Sequence, residues 1–129
     1  MGSWYWGHGR LGDYSIVWYD ALTPDETEYT SFYIARDGEI IHSQCSNVQV
    51  RPAGENSTYP PTLHSGDPSG FSIVVNLGDG STLEVNVVDQ PTLVSSPVYS
   101  RWTGKLNGGV QGSNALTGMA LYEQFALLP

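Results

Sequence analysis

Cysteine is nearly absent from this 129-residue chain: Cys45 stands alone, so no internal disulfide can staple it. That scarcity mildly favours a reducing compartment, and a cytoplasmic location is expected. Basic residues are also few, five against thirteen acids for a net charge of −8. Nucleic-acid binding needs a clustered basic face that displaces counterions, whereas Arg10, Arg36, Arg51, Arg101 and Lys105 are scattered singly, so a nucleic-acid partner is excluded. No run of eighteen apolar residues occurs, so no membrane-spanning helix is expected, and no charged-then-apolar leader opens the chain. Helical periodicity is almost missing throughout.

The usual catalytic signatures are lacking as well. His8, His42 and His64 lie far apart, with no HxH, no HExxH and no cysteine pair, so no metal site is expected. There is no GxSxG, and Cys45 in "SQCSN" reads as a small buried hydrophobe on a strand. "GHGRLG" contains G-x-G-x-x-G at Gly7, Gly9 and Gly12, yet a β-type stretch follows it, whereas a dinucleotide fingerprint needs a helix N-terminus. No cofactor is expected. The sequon Asn56-Ser57-Thr58 reads as a polar loop.

What is present is a string of period-2 segments bounded by Gly, Pro, Asn and Asp, which predicts one all-β domain over residues 1–129. Strands are expected at 14–19 and 29–36. Asp37-Gly38 then makes a two-residue hairpin into a strand running about 39–51, bent at "CSNVQV". The Pro- and Gly-rich stretch that follows is the longest loop. "FSIVVNL" and "TLEVNVVDQ" flank a second tight turn at Gly78-Asp79-Gly80. A strand near 98–106, a Gly-rich turn in "NGGVQGSN" and a last strand at about 116–127 complete eight or nine antiparallel strands. Leu83, Val85, Val87, Leu121 and Phe125 are expected to point inward. Small residues inside the late strands, Gly104, Gly118 and Ala120, favour an antiparallel barrel over a sandwich.

The richest segment is the opening one, "SWYWGHGRLGDYSIVWYD", with three Trp, three Tyr, one His and one Arg. A structural account makes Tyr14, Ile16 and Trp18 one buried face, with Trp4 and Trp6 closing an end of the barrel. A functional account makes the cluster the wall of an apolar cavity, with polar tips from His8, Arg10 and the tyrosines.

The strings "WYWGHGRLGDYSIVWYDAL", "YTSFYIARDGEII", "YPPTLHSGDPSGFSIVVNLGDGSTLEVNV" and "LNGGVQGSNALTGMALYEQF" resemble the C-terminal barrel of the fungal lipocalin-like Diels–Alderases. These sit in the wider group that includes hydroxyneurosporene synthase, a carotenoid 1,2-hydratase. The resemblance implies a lipocalin-like barrel, the second of two in tandem. The first barrel, and the "YHDxNWG"-like segment that usually precedes "WYWG", have no counterpart here, so a companion N-terminal barrel or a homodimer is an expected partner. It also implies an intramolecular [4+2] cyclisation of an apolar, polyketide-type polyene, which needs shape and a hydrogen-bond donor but no metal, nucleophile or proton relay. Trp4, Trp6, His8, Arg10, Tyr14, Trp18, Tyr33, Tyr99 and Trp102 are the expected substrate-binding set, and at least some of its aromatic members are expected to line one apolar cavity or interface near the barrel junction. Two other readings stand beside this one: a non-catalytic lipocalin-like binding domain, and an alkene hydratase using Glu123 as its acid.

Overall fold

The computed structural model describes residues 2–55, 57–88 and 91–129. Asn56 of the sequon, and Asp89 and Gln90 at the end of the expected "TLEVNVVDQ" strand, lie outside the described residues. Ten strands form: β1 (Ser3–Leu11), β2 (Tyr14–Leu22), β3 (Glu28–Arg36), β4 (Glu39–Gln44), β5 (Val48–Ala53), β6 (Gly70–Asn76), β7 (Thr82–Val88), β8 (Thr92–Ser95), β9 (Tyr99–Val110) and β10 (Leu116–Ala126). They make one antiparallel sheet in the order β4-β3-β2-β1-β10-β9-β7-β6-β5, with β8 added against β9. The expected all-β, lipocalin-like barrel architecture is therefore the one adopted. Among the described residues no helix is long and apolar enough to cross a membrane.

The sheet curls until β5 touches β2 and β3, but no backbone pairing joins β4 to β5 among the described residues. Side chains bridge this seam. Buried Asp20 on β2 accepts the Val50 N–H at 3.0 Å, giving the edge strand a partner for a donor that would otherwise be orphaned. Gln44 Nε2 donates to the Asn76 carbonyl at 3.0 Å. Around Asp20, Arg51 Nη1 lies 3.2 Å from Asp20 Oδ2 and 3.1 Å from Glu28 Oε2, and its guanidinium covers the Tyr59 ring at 3.7 Å. Burial pushes the Asp20 carboxyl up to about 7, more than the Val50 N–H and Arg51 can offset. Glu28 is also desolvated, but hydrogen bonds from Asp20 and Tyr59 and the Arg51 charge outweigh this and hold it below its ordinary value.

The tight turns fall where the sequence places them. Asp37 (φ 54°) and Gly38 (φ 79°) both take positive φ, as a type I′ hairpin requires, and Gly80 (φ 88°) does the same between β6 and β7. Three expectations along the chain are corrected, and a fourth inside the barrel. The strand expected over 39–51 is two strands, because the chain turns through Asn47 at φ 60° and sends β4 and β5 to opposite edges of the sheet. Cys45 lies in that turn and is exposed, not buried on a strand. In "NGGVQGSN" the first four residues continue β9 instead of turning, since β9 pairs there with β10 through Gly108 on one edge and with β7 through Val110 on the other. Gly108, at φ 147°, permits that approach: a Cβ there would meet the Glu84 carbonyl oxygen at 2.1 Å.

The barrel interior is packed with rings. Trp102 stacks on Tyr122 at 5.5 Å, Phe71 meets both edge-on or tilted, and Tyr5 and Trp18 complete the cluster. Glycines make room for them. A Cβ on Gly7 would sit 2.2 Å from the Trp18 ring, and one on Gly104 would sit 2.7 Å from the Tyr122 hydroxyl. Leu83, Val85 and Val87 point inward as expected. Leu121 and Phe125 do not: Ala120, Tyr122, Gln124 and Ala126 are the inward set of β10, so its larger aliphatic side chains face out.

Candidate functional site

Strand alternation makes β1 two-faced: Tyr5, Gly7 and Leu11 look into the barrel, while Trp4, Trp6, His8 and Arg10 look out. Antiparallel register extends each outward residue into a row across five strands, β9, β10, β1, β2 and β3. The first row is Tyr99, Phe125, Trp4, Ala21 and Tyr29. The second is Arg101, Glu123, Trp6, Tyr19 and Ser31, and the third Thr103, Leu121, His8, Val17 and Tyr33. The result is an aromatic and aliphatic lattice on the convex side of the sheet, most of it half-buried.

Cross-strand stacking orders the first row. Trp4 stacks on Phe125 at 4.1 Å and Phe125 packs on Tyr99 at 4.5 Å. In the second row Arg101 donates to Glu123 Oε2 through Nε at 3.0 Å and Nη2 at 2.7 Å, and the Tyr99 hydroxyl donates to the same oxygen. Desolvation and the bond to Glu123 raise the Tyr99 phenol above its ordinary value, and the bond to Glu123 raises Arg101, so both stay protonated donors. Trp6 and His8 lie ring to ring at 5.3 Å. Beyond His8 the lattice dips into an open hollow of about 400 Å³ walled by Val17, Tyr33, Met119 and Leu121. A neighbouring hollow of about 480 Å³ shares Arg10, Ser15 and Tyr33 with it and extends to Arg36. The arrangement is a stacking surface of rings with hydrogen-bond donors at its border.

The structure divides the nine expected residues between the outer lattice, the interior and the open end of the barrel. Trp4, Trp6, His8, Arg10, Tyr33 and Tyr99 share the outer lattice. Trp18 and Trp102 belong to the sealed ring cluster inside, each 1% exposed. Tyr14 packs at the open end of the barrel, bonded to Arg36 through its hydroxyl at 3.2 Å. The reason for the division is period 2: Trp18 and Trp102 sit on inward positions, whereas Trp4, Trp6 and Tyr99 sit on outward ones. Tyr19, Arg101, Leu121 and Phe125 were not placed in the candidate set. For Leu121 and Phe125 the signal lay in the alternation of β10, where Met119, Leu121 and Phe125 form the more apolar set; Tyr19 and Arg101 join them only through cross-strand register.

No protein-family model matches the chain. Over 125 residues, 95% of the chain, it is 38% identical to the quinolone epoxide rearrangement protein penF of Penicillium thymicola, and equally to the quinolone epoxide rearrangement protein asqO of Emericella nidulans. Those residues make up 34% of each relative, so the chain spans about a third of the length of the curated proteins it matches. Among solved structures, CghA, both alone and with Sch210972, superposes with a TM-score of 0.72 at 11% identity, over 98% of this chain and 41% of CghA. An AttH-type protein of Nitrosomonas europaea superposes with a TM-score of 0.59 at 15% identity, over 98% of this chain and 39% of that one. By sequence the chain is thus related to one third of two fungal rearrangement proteins, and by fold to a barrel found in CghA.

Proposed function

We propose that the outer lattice is this barrel's share of a site that holds one small, flat, apolar substrate for an intramolecular rearrangement or ring closure, completed by a companion β-domain seated over the same face. One observation carries this reading: the interior is filled by Tyr5, Trp18, Phe71, Trp102 and Tyr122, whereas Trp4, Trp6, Tyr99 and Phe125 turn outward and remain partly open. A single monomer rarely keeps an apolar patch of more than roughly 400 Å² uncovered. The chemistry asked of such a wall is modest. Holding two reactive ends of one molecule in near-attack geometry can be worth up to about 7–11 kcal/mol, and a donor aimed at developing negative charge adds to it.

Two isomerisations suit the lattice. The family resemblance points to a [4+2] closure of a polyene, in which two carbon–carbon bonds form and no atom is lost. The relatives' names favour a second, the rearrangement of a quinolone epoxide, whose opening C–O bond leaves an oxygen that a nearby donor stabilises. The hydratase reading is the weaker one, because Glu123 already serves as acceptor to Arg101 and Tyr99, the wrong role for an acid that protonates an alkene.

The test is an assay of the chain, alone and joined to the companion region of a relative, with a linear polyene and with a quinolone epoxide. The expected result is a product of unchanged mass, formed above the buffer rate only in the joined form, with kcat/KM reduced at least about tenfold by Trp6→Ala. By light scattering, the chain alone is expected as a dimer or larger assembly. A product heavier by one water, or a monomer at full activity with Trp6→Ala unchanged, overturns the proposal.

A further inference from the structure

The ring cluster fills the middle of the barrel but not its end. At the end where β1 meets β2, β6 meets β7 and β9 meets β10, the inward side chains change from aromatic to aliphatic, and a cavity of about 450 Å³ opens. Its floor and walls are apolar: Leu11, Ile34, Leu77, Leu83 and Leu116. Its rim is polar and mostly engaged. Asp79 accepts from the Ser81 backbone N–H at 2.9 Å and lies 3.8 Å from His42 Nε2, a contact that spans the seam between β4 and the β6–β7 turn. Arg36 is different. Its guanidinium lies over the Tyr14 ring at 5.1 Å and donates to the Tyr14 hydroxyl, and among the described residues no carboxylate comes within salt-bridge distance of it.

We infer that the open end of the barrel is a second binding site, for a small molecule with an apolar body and a single carboxylate. The volume falls within the roughly 300–1,000 Å³ of small-molecule pockets, and the lining has their composition, an apolar bed with few polar groups at one side. Charge selects the class. Asp79 is turned to the Ser81 N–H and to His42, whereas Arg36 has no carboxylate in salt-bridge range among the described residues, so Arg36 is the rim group placed to take an anion, and a planar guanidinium pairs a carboxylate through two parallel hydrogen bonds. The aliphatic floor takes the chain or ring of the ligand, while Tyr14 supports Arg36 from below. The apolar bed of this site lies on the inside of the sheet and the outer lattice on the outside, with Arg36 the one residue that borders a hollow on each side, so a shift map of the two beds lets either fail without the other.

Decanoate, below its micellar concentration, is the probe. Titrated into isotope-labelled chain and followed by amide and indole NMR signals, it is expected to shift Leu11, Ile34, Leu83 and Leu116 saturably and leave the Trp4 and Trp6 indole N–H signals in place. Arg36→Ala is expected to weaken binding about tenfold, the worth of one charge-assisted contact. Decanol, lacking the charge, should bind the native chain about as weakly. Leu116→Trp, which fills the cavity, should abolish binding while the remaining spectrum stays native; if that variant does not fold, the Arg36 variant and the shift map decide. Equal affinity for decanol and decanoate overturns the carboxylate assignment, and shifts confined to Trp4, Trp6 and Leu121 overturn the site.

Discussion

The two faces of β1 and β10 differ in a way that hydrophobicity alone does not anticipate. On the concave side, β10 presents Ala120, Tyr122, Gln124 and Ala126, and β1 presents Tyr5, Gly7, Gly9 and Leu11. On the convex side the same strands present Met119, Leu121, Phe125, Trp4 and Trp6. The side with the larger side chains is the outer one. A small barrel has a fixed interior volume, and once Trp18, Trp102, Phe71 and Tyr122 occupy it, their neighbours must be small. Bulk on the convex side answers no such need, which is why the proposed rearrangement site falls on that face and the proposed carboxylate site only where the interior ring packing ends.

Substituting tryptophans one face at a time is the strongest way to break this contrast. Trp18→Ala and Trp102→Ala should each cost about 3–5 kcal/mol in urea unfolding, because they empty a closed core. Trp4→Ala and Trp6→Ala should each cost about 1 kcal/mol or less, the worth of a partly exposed stacking contact. Equal losses on both faces would make the outer lattice structural.

A smaller effect sharpens the contrast at the seam, where a polar group has been drawn inside. Asp20, raised to about 7 by burial, binds a proton in the folded state more tightly than in the unfolded chain, so its contribution is full below about pH 4 and lost as pH rises through 7. Glu28 has the opposite sign: its folded value is lowered, so its contribution is present above its unfolded value of 4.5 and lost as pH falls below it. The melting temperature is therefore expected to rise as pH is lowered from 8 to about 5.5, with the opposing loss from Glu28 setting in only below 4.5. Asp20→Asn should flatten the first limb, on the order of 2 kcal/mol, and a rise that persists in this variant would assign it to another group.

The smallest effect is expected on the outer face. Arg101→Ala should leave stability nearly unchanged in urea unfolding, since the guanidinium of this pair is well exposed to water. The same substitution should lower turnover of the joined enzyme, because it removes one donor from the border of the lattice. Unchanged turnover would restrict Arg101 to holding Glu123.

Much of the fold was legible because its signals are local. Asp37-Gly38 and Gly78-Asp79-Gly80 mark turns through the φ they permit, and Val85 and Val87 mark a core face by alternating with Glu84 and Asn86. The break at Cys45–Asn47 was not legible, since "CSNVQV" has the composition of a bent strand and the separation of β4 from β5 depends on where each finds a partner. The candidate site was half legible. Six of its nine residues share the outer lattice, but Trp18 and Trp102 carry the same apparent invitation to a ligand and are consumed by the core.

By itself the sequence determined that this chain is all-β, where its tight hairpins turn, and which residues of each strand travel together on one face, because these follow from backbone φ and the two-residue period of a strand. Which of the two faces became the inside was decided only by the tertiary structure. Alternation is unchanged when inside and outside are exchanged, and the choice fell to the curl of the sheet, to the limited volume it encloses and to the glycines, Gly7 and Gly104, that let rings from neighbouring strands fill it. The same curl brought β5 to β2 and buried Asp20 against Val50, a contact between residues thirty positions apart that no local pattern encodes.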